Sequence, residues 1–299
     1  MALTKTVPMA PKVLALLAAI FAVMPVAAEE AVQIDYRGLR LNGVLAEAAD
    51  SDRPVFLLLH GTMAHGEMEI IRALRETLLE QGFSSLSITL SLGVDDRSDM
   101  FDCAEIHRHL HTDALDELDA WRKWLMEKGF RRQILLGHSR GGNQVAWYLA
   151  ERRPESVAAA VLVAPQLWGR DAAAAAYQKR FGTPLAPLLA QAGQADSDAL
   201  LRDLGFVYCD DATVTAGAFL SYHAPDERMH TPGLVGEIGP PVLVIAASED
   251  QSVPGVAAAM QAAGVENVVE IEGADHFFRD LYTYDVVDAI AAFLDENGI

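Results

Sequence analysis

From residue 32 onward, short apolar runs alternate with segments whose apolar residues recur at helical spacing, and this alternation leaves few folds open. The strand-like runs are 32–37, 39–46, 55–59, 84–90, 133–136, 157–163, 241–246 and 268–271, and the helix-like ones are 67–81, 113–128, 140–151, 256–263 and 284–295. In 67–81, Ile70, Ile71, Leu74, Leu78 and Leu79 fall on one face, and Gly82 supplies a stop. The first two runs read as an antiparallel pair turning at Arg37-Gly38. Runs such as 55–59 and 242–245 are continuously apolar rather than alternating, which fits a sheet covered on both faces. The expected fold is α/β: a mostly parallel central sheet of about eight strands flanked by helices. Ligands in such sheets bind beyond the carboxyl ends of the strands.

Two stretches break the rhythm. Residues 91–112 form a loop rich in Asp and His, and 166–239 form an Ala-rich insertion, read as a helical cap within an α/β domain over 29–299. Loops of such length inside a compact domain are usually functional. His107, His109 and His111 alternate, and imidazoles two apart share one face of an extended strand. None of the strong zinc spacings is present, so no metal and no cofactor is assigned. The segment reads as a lid held by His–Asp contacts, with His107 a candidate to touch substrate. In the cap, Tyr208, Phe219, Tyr222 and His223 either line a pocket or form a small core of their own; Tyr222 is the candidate pocket residue.

The chain carries 42 acidic and 23 basic residues, a formal net charge of −19. That balance disfavours nucleic acid, whose phosphates need clustered Lys and Arg, and docking on anionic lipid. The expected partner is a small acyl compound. Residues 1–28 have the layout of a signal peptide: Lys5 and Lys12, an apolar run over 13–24, then Pro25, with Val26 and Ala28 at the −3 and −1 positions of a cut. The run is short for a bilayer span, which needs roughly 20 apolar residues. A periplasmic or secreted protein without stable membrane insertion is expected. In an oxidising compartment Cys103 and Cys209 are expected to pair.

The chemistry centres on Gly137-His138-Ser139-Arg140-Gly141, which joins the apolar run 133–136 to the helix 140–151. This is the strand–turn–helix context of a nucleophile elbow. The glycines let strand and helix approach closely and expose Ser139 at a helix N-terminus, where free N–H groups favour developing negative charge. A serine hydroxyl needs a base. His276 follows the run 268–271 and Asp250 follows 241–246, so both fall at the same sheet edge as Ser139. His276 is expected to shuttle the proton and Asp250 to hold the imidazole. Glu249 and Asp275 are the alternatives beside them, with side chains expected to point elsewhere. An oxyanion hole needs two backbone donors. Arg140 N–H is one, and Thr62 N–H, in the loop after 55–59, is the other. Met63 is the close alternative there and a candidate to contact substrate; His60 braces the loop.

With its His-Gly loop, Gly-x-Ser-x-Gly elbow, and late Asp and His in that order, the chain resembles the α/β-hydrolase superfamily over residues 32–296. The resemblance implies an eight-stranded sheet and hydrolysis through an acyl-enzyme, here of a carboxylic ester or related acyl compound. Esterases, lipases, thioesterases, peptidases and some non-hydrolases share the signature, and a cofactor-free lyase or a non-catalytic binding protein are the competing readings.

Overall fold

The computed structural model describes residues 28–49 and 52–299; the leader expected over 1–28 lies outside them up to Ala28. The chain begins with β1 (Ala28–Tyr36) and β2 (Leu39–Glu47), paired antiparallel about Arg37-Gly38, both at positive φ. Then follow β3 (Val55–Leu59), α1 (Glu69–Glu80), β4 (Ser85–Thr89), α2 (Asp113–Glu127), β5 (Gln133–His138), α3 (Arg140–Arg152) and β6 (Val157–Val163). The insertion holds α4 (Arg170–Phe181), α5 (Leu185–Gln194), β7 (Leu200–Phe206), β8 (Cys209–Thr215), α6 (Ala216–His223) and α7 (Pro232–Val235). The chain closes with β9 (Val242–Ala247), α8 (Val256–Ala262), β10 (Val268–Ile271) and α9 (Tyr282–Glu296).

Eight strands form one sheet in the order β1-β2-β4-β3-β5-β6-β9-β10. The β1–β2 and β2–β4 pairs are antiparallel, and every pair beyond β4 is parallel. All residues of β3, β4 and β5 are buried, which is why β3 and the 134–136 stretch of β5 read as unbroken apolar runs, whereas β4 also buries the polar Ser85, Ser87 and Thr89. Alternate residues of β3 feed opposite cores. Val55, Leu57 and Leu59 join Trp121 of α2 and Tyr148 of α3 on one face. Phe56 and Leu58 meet Ile70, Ile71 and Leu74 of α1 and Val287 and Ile290 of α9 on the other. The carboxyl ends of β3, β5, β9 and β10 therefore share one edge, and their loops gather there. Among the described residues no helix is long and apolar enough to cross a membrane.

The insertion differs from the expected all-helical cap by its β7–β8 hairpin, whose buried Leu201, Phe206, Ala212 and Val214 join the main core. Its strand signal is weak because Arg202, Asp203 and Gly205 interrupt the apolar pattern. The loop 91–112 docks on the hairpin. His107 N–H donates to the carbonyl of Thr213 (2.9 Å), and Thr215 N–H donates to the carbonyl of His107 (2.9 Å). The Tyr208 hydroxyl donates to the carbonyl of Phe101 (2.7 Å). A disulfide joins Cys103 to Cys209 across 106 residues. Closing a loop of that length restricts the unfolded chain by about 4–5 kcal/mol in the chain-entropy account. The Cys103→Ser/Cys209→Ser double variant is therefore expected to unfold at markedly lower denaturant concentration. Unchanged midpoints in urea would remove this stabilising role.

Candidate active site

Ser139 is the one residue between β5 and α3, and its backbone is folded back on itself at φ 56° and ψ −121°. A non-glycine residue there costs about 1–3 kcal/mol, which the surrounding fold must supply. The packing explains why the turn is so tight. A Cβ on Gly137 would run into the carbonyl of Gly141, and one on Gly141 would run into the carbonyl of His60. Strand, helix and β3 loop thus meet at van der Waals limits, and Ser139 projects at their junction.

His276 lies in the loop after β10 and Asp250 in the loop after β9. His276 Nδ1 is 2.7 Å from Asp250 Oδ2, and the pair is buried at 6% and 5% exposure. The other carboxylate oxygen accepts the N–H groups of Ser252 (2.7 Å) and Val253 (2.8 Å). Burial pushes the Asp250 carboxyl up, but the His276 hydrogen bond and these backbone donors outweigh it and hold it below the ordinary carboxylate value. An ionised carboxylate only accepts, so Nδ1 carries the proton and the Nε2 lone pair is left for chemistry. His138, the elbow residue before Ser139, donates from Nε2 to the carbonyl of His276 (2.9 Å) and fixes that loop to the elbow. Burial, reinforced by the neighbouring His276, lowers the His138 imidazole to about 3, so it stays neutral. The Gly-x-Ser-x-Gly pattern leaves this position unspecified, and only the fold reveals the brace.

The loop after β3 is held from below. His60 Nε2 accepts the N–H of Leu90 (3.1 Å), so Nδ1 is protonated and donates to the carbonyl of Gly61 (2.8 Å). Buried Arg97 donates to the carbonyls of Leu90 (2.7 Å) and Ala64 (2.8 Å). Among the described residues, neither Thr62 N–H nor Arg140 N–H has an acceptor. Both residues border the cavity that contains Ser139.

That cavity, about 550 Å³, brings Thr62, Ser139, Arg140, Tyr222 and His276 onto one wall system, with Asp250 behind His276. Two candidate contacts fall elsewhere. Met63 is 2% exposed and packs in the main core, its φ of 51° turning the chain inward, and it does not line the cavity. His107 is fully buried between Phe101 and Phe206, at ring distances of 4.5 and 4.8 Å, because its backbone is tied to the hairpin. Tyr222 and His223 line the cavity, whereas Phe219 is buried in the core behind it. Neither His109 nor His111 lines the cavity. Among the described residues no three His, Cys, Asp or Glu side chains converge as a metal would require.

The Arg140 side chain is the feature that sequence reasoning missed. Its Nε donates to Thr62 Oγ1 (3.1 Å), and one terminal nitrogen lies 3.2 Å from His111 Nδ1. Asn143 donates from Nδ2 to the carbonyl of Arg228 (2.9 Å), so its Oδ1 accepts from His111 Nε2 (3.0 Å). His111 Nδ1 is therefore the acceptor for Arg140. The guanidinium also stands over the Tyr222 ring, 5.0 Å from its centre.

The sequence profile described as "Alpha/beta hydrolase family" matches residues 56–293. Among solved structures, Est1E from Butyrivibrio proteoclasticus is 22% identical with a TM-score of 0.64, over 89% of this chain and 98% of its own. The Pyrococcus furiosus esterase PF2001 is 17% identical with a TM-score of 0.61, over 90% and 91% of the two chains. A monoacylglycerol lipase from Paleococcus ferrophilus is 18% identical with a TM-score of 0.59, over 86% and 99%. No curated protein sequence matches the chain.

Proposed function

The chain belongs to the alpha/beta hydrolase family, and from that premise we propose that it is an exported serine hydrolase that cleaves a carboxylic ester through an acyl-enzyme. The observation that carries this reading is a single cavity holding Ser139, at the tip of its strained turn, together with His276, whose Nδ1 is committed to Asp250. Ser139 Oγ attacks the carbonyl carbon while His276 Nε2 takes its proton. The charge that develops on the carbonyl oxygen is received by the N–H groups of Thr62 and Arg140. His276 returns the proton to the leaving alcohol, then activates a water that releases the acid and restores Ser139. Asp250 keeps the imidazole in the required tautomer and stabilises its charged form. The names of the neighbouring esterases and lipase agree with ester chemistry. Export is supported by the leader-like residues 1–28 and by the Cys103–Cys209 bond, which persists in oxidising compartments.

A fluorophosphonate probe tests the nucleophile: labelling of the wild type and none of Ser139→Ala is expected. A panel of 4-nitrophenyl esters, thioesters and aminoacyl amides tests the reaction, with the esters turned over fastest. Absence of labelling, or turnover confined to the amides, would overturn the reading.

A further inference from the structure

Acidic residues outnumber basic ones 42 to 23 in this chain, yet among the described residues no Asp or Glu lines the cavity at Ser139, while two arginines do. One of them, Arg180, is already engaged. It donates to the carbonyl of Tyr208 (2.6 Å) and lies 3.6 Å from Asp210. Arg140 is different. Among the described residues no carboxylate lies within ion-pair distance of it, and everything that holds it is uncharged: the Thr62 hydroxyl, the His111 imidazole and the face of Tyr222. Burial, reinforced by Arg140 itself, lowers His111 to about 3, so this partner stays neutral throughout the working pH range. Two of the five guanidinium N–H groups are used, and three are left.

An unpaired, part-buried guanidinium is costly, and burial draws its basicity below the ordinary value. A chain this rich in Asp and Glu had ample means to neutralise it. The neutral cradle instead fixes the fork beside the oxyanion hole and leaves its charge for something that arrives from solution. One unpaired cation matches one negative charge, and a planar fork fits a carboxylate through two parallel hydrogen bonds. The position also selects which half of the substrate bears that charge. The leaving group must depart beside His276, whose side-chain hydrogen bond and ring contacts are with Asp250, His138 and Phe277. Arg140 is held by none of these. Much of the remaining wall is apolar, including Leu167, Trp168, Phe181 and Val253.

We propose that the Arg140 side chain is a carboxylate-binding subsite, and that the preferred substrate is an ester whose acyl chain carries a second, free carboxylate. This rests on the serine-hydrolase reading above and specifies its substrate class. The subsite acts only at close range. The net charge of −19 repels anions at a distance, so the selectivity does not arise from long-range steering.

The test compares 4-nitrophenyl hemiadipate with its methyl-capped diester and with 4-nitrophenyl hexanoate on the processed, oxidised protein. The wild type is expected to favour the hemiadipate over the capped diester by about 10- to 100-fold in kcat/KM, the range of a charge-assisted pair. Arg140→Met should abolish or invert that ratio, and Arg140→Lys should keep part of it. A second measurement avoids turnover. Adipate should bind Ser139→Ala in calorimetry and bind Ser139→Ala/Arg140→Met at least tenfold more weakly, with circular dichroism checking the fold. If Arg140→Met does not fold, the wild-type ratio decides alone. A wild type that hydrolyses the neutral esters equally well or better overturns the carboxylate subsite and leaves ester hydrolysis standing. No turnover of any ester and no fluorophosphonate labelling overturn the underlying reading as well.

Discussion

His276→Ala is expected to lower ester kcat/KM by about 10⁴- to 10⁶-fold, the loss typical of removing one member of a nucleophile–base unit. Without the imidazole, Ser139 must attack with its proton in place, and the leaving alkoxide has no acid to meet it. The fold should survive the substitution. The contact between the His276 loop and His138 is made by the backbone carbonyl, and Asp250 keeps its bonds from Ser252 and Val253. Asp250→Asn should cost about 10⁴-fold by favouring the wrong tautomer. Steady-state rates beside near-ultraviolet dichroism and thermal melts distinguish lost chemistry from lost structure. A folded His276→Ala enzyme within tenfold of the wild type would remove His276 from the reaction.

The second large effect is loss of the folded state in mild acid. Five histidines, His60, His107, His109, His111 and His138, are exposed by 1% or less. Burial lowers His107 to about 4 and the other four to about 3. In the unfolded chain they titrate near the ordinary value of about 6.5. Between those values the unfolded state binds more protons, so stability is full above about pH 6.5 and falls as pH drops toward the folded values. Each histidine forfeits about 2 kcal/mol by pH 5, and five forfeit on the order of 10 kcal/mol, comparable to the whole stability of a domain at about 5–15 kcal/mol.

Glu117 opposes this. Burial, countered by its bonds from Ser91 and by Arg97, and reinforced by Asp113, pushes its carboxyl up to about 7. It therefore takes up a proton on folding between about pH 4.5 and 7, and acidification through that window stabilises by at most about 3 kcal/mol. The histidines win. Far-ultraviolet dichroism should show cooperative unfolding with a midpoint near pH 5. Replacing His107, whose two ring nitrogens have no partner among the described residues, by Leu should move that midpoint to lower pH. A native dichroism spectrum at pH 4 would contradict the account.

The parts legible in the sequence were those governed by short-range rules. Strand β3 announced itself because both its faces are covered. Ser139 did so because the elbow tolerates no side chain at Gly137 or Gly141. The order of the strand-like runs, 241–246 before 268–271, was enough to place Asp250 and His276, in the loops that follow them, at one rim. What stayed hidden depends on partners distant in the chain. His107 read as a candidate to touch substrate in a polar loop, but its backbone pairs with a hairpin a hundred residues later, and that pairing turns the ring inward. The charge of Arg140 was equally unreadable, since its meaning lies in the lack of a carboxylate within ion-pair distance among the described residues, and only the folded cavity shows that.

The bond between Cys103 and Cys209 splits the insertion into two mechanically unequal halves. The hairpin and α6 are stapled to a loop that leaves the central sheet, so they cannot swing away without breaking a covalent link. Helices α4 and α5 carry no such tether and bury only Tyr177, Leu185 and Ala192 among their side chains. Of the two halves, α4 and α5 are therefore the freer to move, and α4 lends Ala173, Tyr177, Arg180 and Phe181 to the cavity wall at the nucleophile. Residues 170–194 are accordingly the stretch to exchange when reshaping which molecules this enzyme admits, with the tethered half left in place as the fixed jamb.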